Sequence, residues 1–213
     1  MESTSPRKEP RQERARATVA AILQTAAHIL EREGPDALNT NRIAKDAGVS
    51  VGSLYQYFPN KEAILIALVD GHVEKMIGIL EDCVRTLIDA PIPHAVRTYV
   101  RAILAAHALE PRLHRALVQV ALSTMSNLHA MLDVEKRAVD LVLAWLSVHK
   151  DSVRVGDLET VAFVLVSSVE ATVHRALLDR PDIITSGALE DELCALVLRY
   201  LGVDEGTAKK KRA

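Results

Sequence analysis

Three of the seven aromatic residues in this 213-residue chain, Tyr55, Tyr57 and Phe58, fall within four positions. They close a stretch in which Ser50, Val51, Gly52, Ser53, Tyr55, Gln56 and Tyr57 are small or hydrogen-bonding, and none is acidic. Such a set suits contact with a nucleic acid. Tyrosine hydroxyls and the nearby Lys61 can bind phosphate oxygens, Ser53 and Gln56 can hydrogen-bond base edges, and Val51 can meet a thymine methyl. Gly52 lets the backbone approach a groove, and the unpaired N–H groups of a helix start attract phosphate. Phe58 stands four residues after Leu54, on the same helical face, and reads as core.

A second set of residues points to metal or acid-base chemistry. Helical spacing can bring His107, Glu110 and His114 together, and Glu170 and His174 stand at i,i+4. A helical-bundle enzyme or metal protein built on His107, Glu110 and His114 is therefore the alternative reading. A di-iron bundle would repeat Glu-x-x-His and add carboxylates; neither is present, and Pro111 interrupts the first set. Residues 62–213 hold no Gly-rich phosphate loop and no nucleophile elbow, and Cys83 and Cys194 fit no metal or redox spacing. The expectation is no catalytic residue, no metal and no cofactor.

The elements that must position these residues are helices. Hydrophobic residues make up 49% of the chain and aromatics 3%, so the apolar content is almost all aliphatic, a composition that favours helix over sheet. Apolar residues recur at three and four spacing from Arg14 to Gly34. A short helix follows, capped by Asn39 or Thr40 and ended by Gly48, and Ser50 caps another over about 51–57. Further helices are expected from Lys61, over 94–109, from Pro111, and over about 127–150, 157–179 and 186–201. The fold class is all-α with about nine helices. It divides into a disordered basic arm (1–13), a helix-turn-helix domain (14–61), a larger helical domain (62–203) and a disordered tail (204–213) that includes Lys209–Arg212.

Charge excludes bulk polyanion binding: 26 Lys and Arg face 28 Asp and Glu. Residues 1–61 carry nine basic and seven acidic side chains, against seventeen and twenty-one in 62–213, which turns the N-terminal end toward a polyanion. The N-terminus has no apolar signal segment, and the longest uncharged run, Ala116–Leu132, is broken by polar residues. A soluble, cytoplasmic protein without membrane contact is expected.

The segment Thr40-Asn41-Arg42-Ile43-Ala44-Lys45-Asp46-Ala47-Gly48-Val49-Ser50-Val51-Gly52-Ser53-Leu54-Tyr55-Gln56-Tyr57-Phe58-Pro59-Asn60-Lys61-Glu62 closely resembles the DNA-binding signature of TetR-family transcriptional regulators. The resemblance covers about residues 14–65. It implies that the third helix enters the major groove and that Tyr55 and Lys61 clamp the DNA backbone. It further implies that Thr40 and Asn41 touch phosphate or the groove edge from the second helix. Asn39 departs from the pattern, in which threonine is frequent at that position.

The remainder reads as a dimerisation and effector domain. Between Val161 and Leu178 apolar residues run nearly all round the helix, which asks for more cover than one subunit's core. Val161, Phe163, Val164, Leu165, Val169 and Val173, with Leu189, Leu193, Leu196, Val197 and Tyr200, are the expected four-helix dimer interface, an arrangement the resemblance also implies. Two recognition helices on a two-fold axis would then read half-sites of a near-palindromic double-stranded operator ~34–36 Å apart. The resemblance implies a repressor whose small effector sits in an apolar pocket. Candidate lining residues are Tyr99, Ile103, His107, Met125, Leu128, Met131, Trp145 and Phe163. Few aromatic or acidic groups are available for its walls, which favours an apolar effector over a flat polycation.

Overall fold

A computed structural model describes residues 9–123 and 125–204, and the side chains of 13–120 and 135–204. The arm before Glu9, the Lys209–Arg212 tail, and the side chains of Met125, Leu128 and Met131 lie outside the described residues. The described residues form ten α-helices, two short 3-10 turns and no strand. The helices are α1 (Glu9–Glu33), α2 (Thr40–Asp46), α3 (Val51–Tyr57), α4 (Lys61–Thr86), α5 (Ile92–Ala108), α6 (Pro111–Ser123), α7 (Met125–Val148), α8 (Leu158–Asp179), α9 (Pro181–Thr185) and α10 (Ala188–Tyr200). Two differences from the sequence expectation stand out. The first helix begins at Glu9, and the five-residue α9, opened by Pro181, is an element too short to show a hydrophobic period.

The chain divides into two units, one holding residues up to Gly71 with Arg112–Asn127, the other His72–Pro111 and the residues from Leu128 on. In the first, Ile22, Ala26, Ile29 and Leu30 on α1, Ile43 and Ala44 on α2, Leu54 on α3, Phe58, and Ile64 and Val69 on α4 are all buried. Phe58 is thus core, as its spacing from Leu54 requires. Local chemistry fixes the helix ends. The Asn39 carboxamide oxygen accepts from the backbone N–H of Asn41 at 2.8 Å, Ser50 Oγ accepts from Ser53 N–H at 3.0 Å, and Asn60 Oδ1 accepts from Ala63 N–H at 2.8 Å. Each satisfies an orphan donor of a first helical turn. Gly48 sits at φ 68°, the left-handed conformation that stops α2 and turns the chain into α3.

The second unit has a core of aliphatic helix-on-helix packing, with Trp145 and the fully buried Leu146 at its middle. Trp145 Nε1–H donates to the Leu87 carbonyl at 3.4 Å, and His149 Nε2 donates to the Ile88 carbonyl at 2.9 Å, so α7 holds the turn after α4. Arg97 and Arg101 on α5 pair with Glu190 and Asp191 at the start of α10, each with one contact of 2.8 Å. The acids stand in the first turn of α10, where the helix dipole favours them.

α8 is helical throughout, its β-branched run included. By length and composition it is apolar enough to cross a membrane, but 44% of that stretch is buried in the fold. It supplies Val161, Leu165, Val169 and Val173 to the unit's own core.

Candidate nucleic-acid interface and apolar cavity

α2 and α3 meet through Gly48, and the buried Ile43, Ala44 and Leu54 hold the pair on α1 and each other. The seven residues of α3 leave one face outward. Ser50, Val51, Gly52, Tyr55, Gln56 and Tyr57 are exposed, Ser53 is half-buried, and Asn41 is exposed on α2. Val51, Tyr55 and Tyr57 are among the large hydrophobic side chains the chain leaves in solvent, with Tyr55 at 49% exposure. Such exposure is informative in a chain with so few aromatics.

Geometry ties the expected contacts together. Thr40 Oγ1 and the Tyr55 hydroxyl are 3.2 Å apart, so the start of α2 and the middle of α3 present their polar atoms at one spot. Ser50 and Ser53 hydroxyls share a 2.8 Å hydrogen bond. A Cβ built on Gly52 would meet nothing nearer than Ser50 Oγ at 3.9 Å. The protein's own packing therefore does not require a glycine there, and the missing side chain leaves room on the outer face. Arg42, between Thr40 and the turn, is not on offer to phosphate in the same way: its guanidinium makes a bidentate pair with Glu33 on α1 and reaches Asp46 at 3.5 Å. Lys61 is half-buried at the first residue of α4.

The second unit contains a cavity of about 80 Å³. Of the eight effector candidates, Tyr99, Ile103 and Trp145 line it. His107 is buried but outside the lining, and Phe163, at 55% exposure, points to solvent. The helical period places Phe163 two residues from the buried Val161 and Leu165, on the opposite side of α8.

Sequence reasoning missed one polar group of this cavity, Glu170. Its Oε2 lies 3.3 Å from His107 Nε2 and 3.8 Å from His174 Nδ1. Burial pushes the Glu170 carboxyl up, but His107 and His174 pull it further down, leaving it below the ordinary carboxylate value. Burial holds His174 below the usual imidazole value, with His107 adding to the effect. Tyr99 is pushed up, by burial first and then by the Glu170 charge, so its phenol keeps its proton. The i,i+4 spacing of Glu170 and His174 was the available signal. Of the His107, Glu110 and His114 set, Glu110 departs from the expectation: it lies beyond the end of α5 at Ala108 and pairs with Lys75 at 3.3 Å.

The expected dimer residues divide in two. Val161, Leu165, Val169, Val173, Leu189, Leu193 and Val197 are buried within the chain's own core. α10 packs chiefly on α5. Phe163, Val164, Leu196 and Tyr200 remain exposed, at 55%, 37%, 50% and 42%.

Comparison with known proteins agrees with this architecture. EthR of Mycolicibacterium smegmatis, a transcriptional regulator of the helix-turn-helix type, is 31% identical over 97 residues, which cover 46% of this chain and 44% of EthR. A fatty acid metabolism regulator protein of Bacillus subtilis is 34% identical over 64 residues, 30% of this chain and 33% of that protein. The chain thus spans less than half the length of these relatives. Among solved structures, a protein assigned to the TetR family from Mesorhizobium loti superposes with a TM-score of 0.74 at 19% identity, covering 89% of this chain and 97% of that one. The fatty acid degradation regulator FadR from Bacillus halodurans gives 0.63 at 23% identity, covering 84% and 97%. These two likenesses concern the fold. Residues 22–68 match the family described as bacterial regulatory proteins, tetR family, and residues 91–201 match the tetracyclin repressor-like C-terminal domain. Since those matches take in the helix-turn-helix and most of the second unit, the chain belongs to the TetR family of bacterial regulatory proteins.

Proposed function

We propose that this chain is a ligand-responsive repressor that binds a near-palindromic operator as a homodimer in the cytoplasm. The observation that carries the reading is the outward face of α3, with no acidic residue and the Tyr55 hydroxyl joined to Thr40. Tyr55, Lys61, Thr40 and Asn41 bind phosphates and set the register. Val51, Ser53 and Gln56 read base edges, and Gly52 admits the backbone to the groove. Tyr57 contacts the flanking backbone. With a net charge of −2, affinity depends on placed contacts doubled by two-fold symmetry.

Phe163, Val164, Leu196 and Tyr200 form the dimer face, since an exposed apolar patch of this kind marks an interaction site. The cavity is the effector site. By linkage, an effector there releases DNA only to the extent that it binds the DNA-incompetent state better. α4 gives the coupling a covalent route: Lys61 opens that helix and Val84, near its end, lines the cavity.

The test is footprinting of the purified protein on the DNA flanking its own gene. The expected result is protection of an inverted repeat whose half-site centres lie about one helical turn, ~34–36 Å, apart. Protection of a single unpaired half-site, or none, would contradict the reading.

A further inference from the structure

We propose that the cavity of the second unit takes a small apolar molecule carrying a single protonated amine, with the ammonium on Glu170 and the hydrocarbon against the aliphatic wall. This inference rests on the reading of that cavity as the effector site. Apart from Tyr99 and Glu170, the described residues lining it are apolar, among them Val96, Ile103, Trp145, Leu165 and Val169. An apolar cleft with one or two placed polar groups fixes ligand orientation through those groups. Here the fixing group is a carboxylate.

Both imidazole contacts of Glu170 fall on Oε2, at 3.3 Å from His107 and 3.8 Å from His174. No hydrogen bond or ion pair to Oε1 occurs among the described residues. A carboxylate that lines an apolar cavity, its Oε1 without a protein partner, favours a charged donor over a neutral one, because hydrogen bonds to ionised partners are the stronger kind. An anionic ligand meets like charge at the same point. A dication would bring a second charge, and Glu170 is the one acid among the described lining residues.

Trp145 is the chain's single tryptophan and lines the cavity, so its fluorescence reports occupancy directly. The experiment titrates the full chain at pH 7 with hexylamine, hexan-1-ol and hexanoate, by Trp145 fluorescence and by calorimetry, and repeats the series on Glu170→Gln. Hexylamine is expected to bind about tenfold tighter than hexan-1-ol or better, with hexanoate weakest. Glu170→Gln should remove the amine preference. Equal or tighter binding of hexanol or hexanoate, no binding of any probe, or a preference that survives Glu170→Gln would overturn the inference. If the variant does not fold, the ranking on the unaltered chain decides. Operator affinity measured alongside separates the two readings. An amine preference without any change in operator binding would overturn the effector site and leave the ligand class standing. Release of operator by hexanol with no amine preference would do the reverse.

Discussion

Tyr55, Gly52 and Glu170 show how differently single residues declare themselves. Tyr55 was legible from type and place: an aromatic with a hydroxyl, one position beyond the buried Leu54, must face away from the core. Its 3.2 Å contact with Thr40 was not, because it joins residues fifteen apart across a turn whose geometry no local pattern specifies. Gly52 gives a prediction in which stability and function part. With nothing nearer than 3.9 Å to an added Cβ, Gly52→Ala should keep or raise thermal stability, by up to about 1 kcal/mol from helix propensity, while weakening operator binding. Paired melting and binding curves check it; a variant that melts lower and binds normally would contradict a groove-facing glycine. Val51 and Ser53 substitutions should change the preferred operator sequence, read by binding to a panel of operator variants. Uniform weakening across the panel would place them on the backbone instead. The sequence marks Glu170 only as half of an i,i+4 pair with His174, with no sign of a cavity. Only the approach of His107 and Tyr99 from α5 makes it the polar point of a cavity.

At the scale of elements, punctuation carried most of the information. Asn39, Gly48, Ser50, Pro111 and Asp157 mark helix ends by local chemistry, and the helices end or begin there. The five-residue α9 carries no such signal, since its Pro181 start has no periodic stretch behind it. Asn39→Ala and Ser50→Ala should each cost about 1 kcal/mol through the lost caps. Ser50→Ala should also loosen Ser53, whose hydroxyl lies 2.8 Å from Ser50 Oγ. Chemical denaturation checks the first effect; an unchanged midpoint with an unchanged slope would show the caps to be idle. α8 illustrates a limit of periodicity. A helix apolar on nearly every side predicts burial but does not say which face goes to its own core, and Val161, Leu165, Val169 and Val173 turned inward while Phe163 and Val164 did not.

For the whole molecule, that division bears on the proposed dimer. Because Phe163 and Leu196 are 55% and 50% exposed in the single chain, Phe163→Asp and Leu196→Asp should leave the fold intact and shift the protein to monomer in sedimentation. Dimers persisting in both variants would remove this face from the interface. The all-helical class and the helix-turn-helix were readable because they rest on composition, spacing and caps. The cavity was not, because it depends on residues from α4, α5, α7, α8 and α10 that meet only in the folded unit. With a net charge of −2, operator binding in the proposed reading depends on a few placed phosphate contacts, those of Tyr55 and Lys61 foremost. The direct measurement is the salt dependence of operator affinity for the unaltered chain and for Tyr55→Phe combined with Lys61→Ala. Weaker binding by a similar factor on every operator variant is expected, with a log–log salt slope shallower by about one per Lys61 removed. An unchanged affinity and slope on a genuine operator would contradict it.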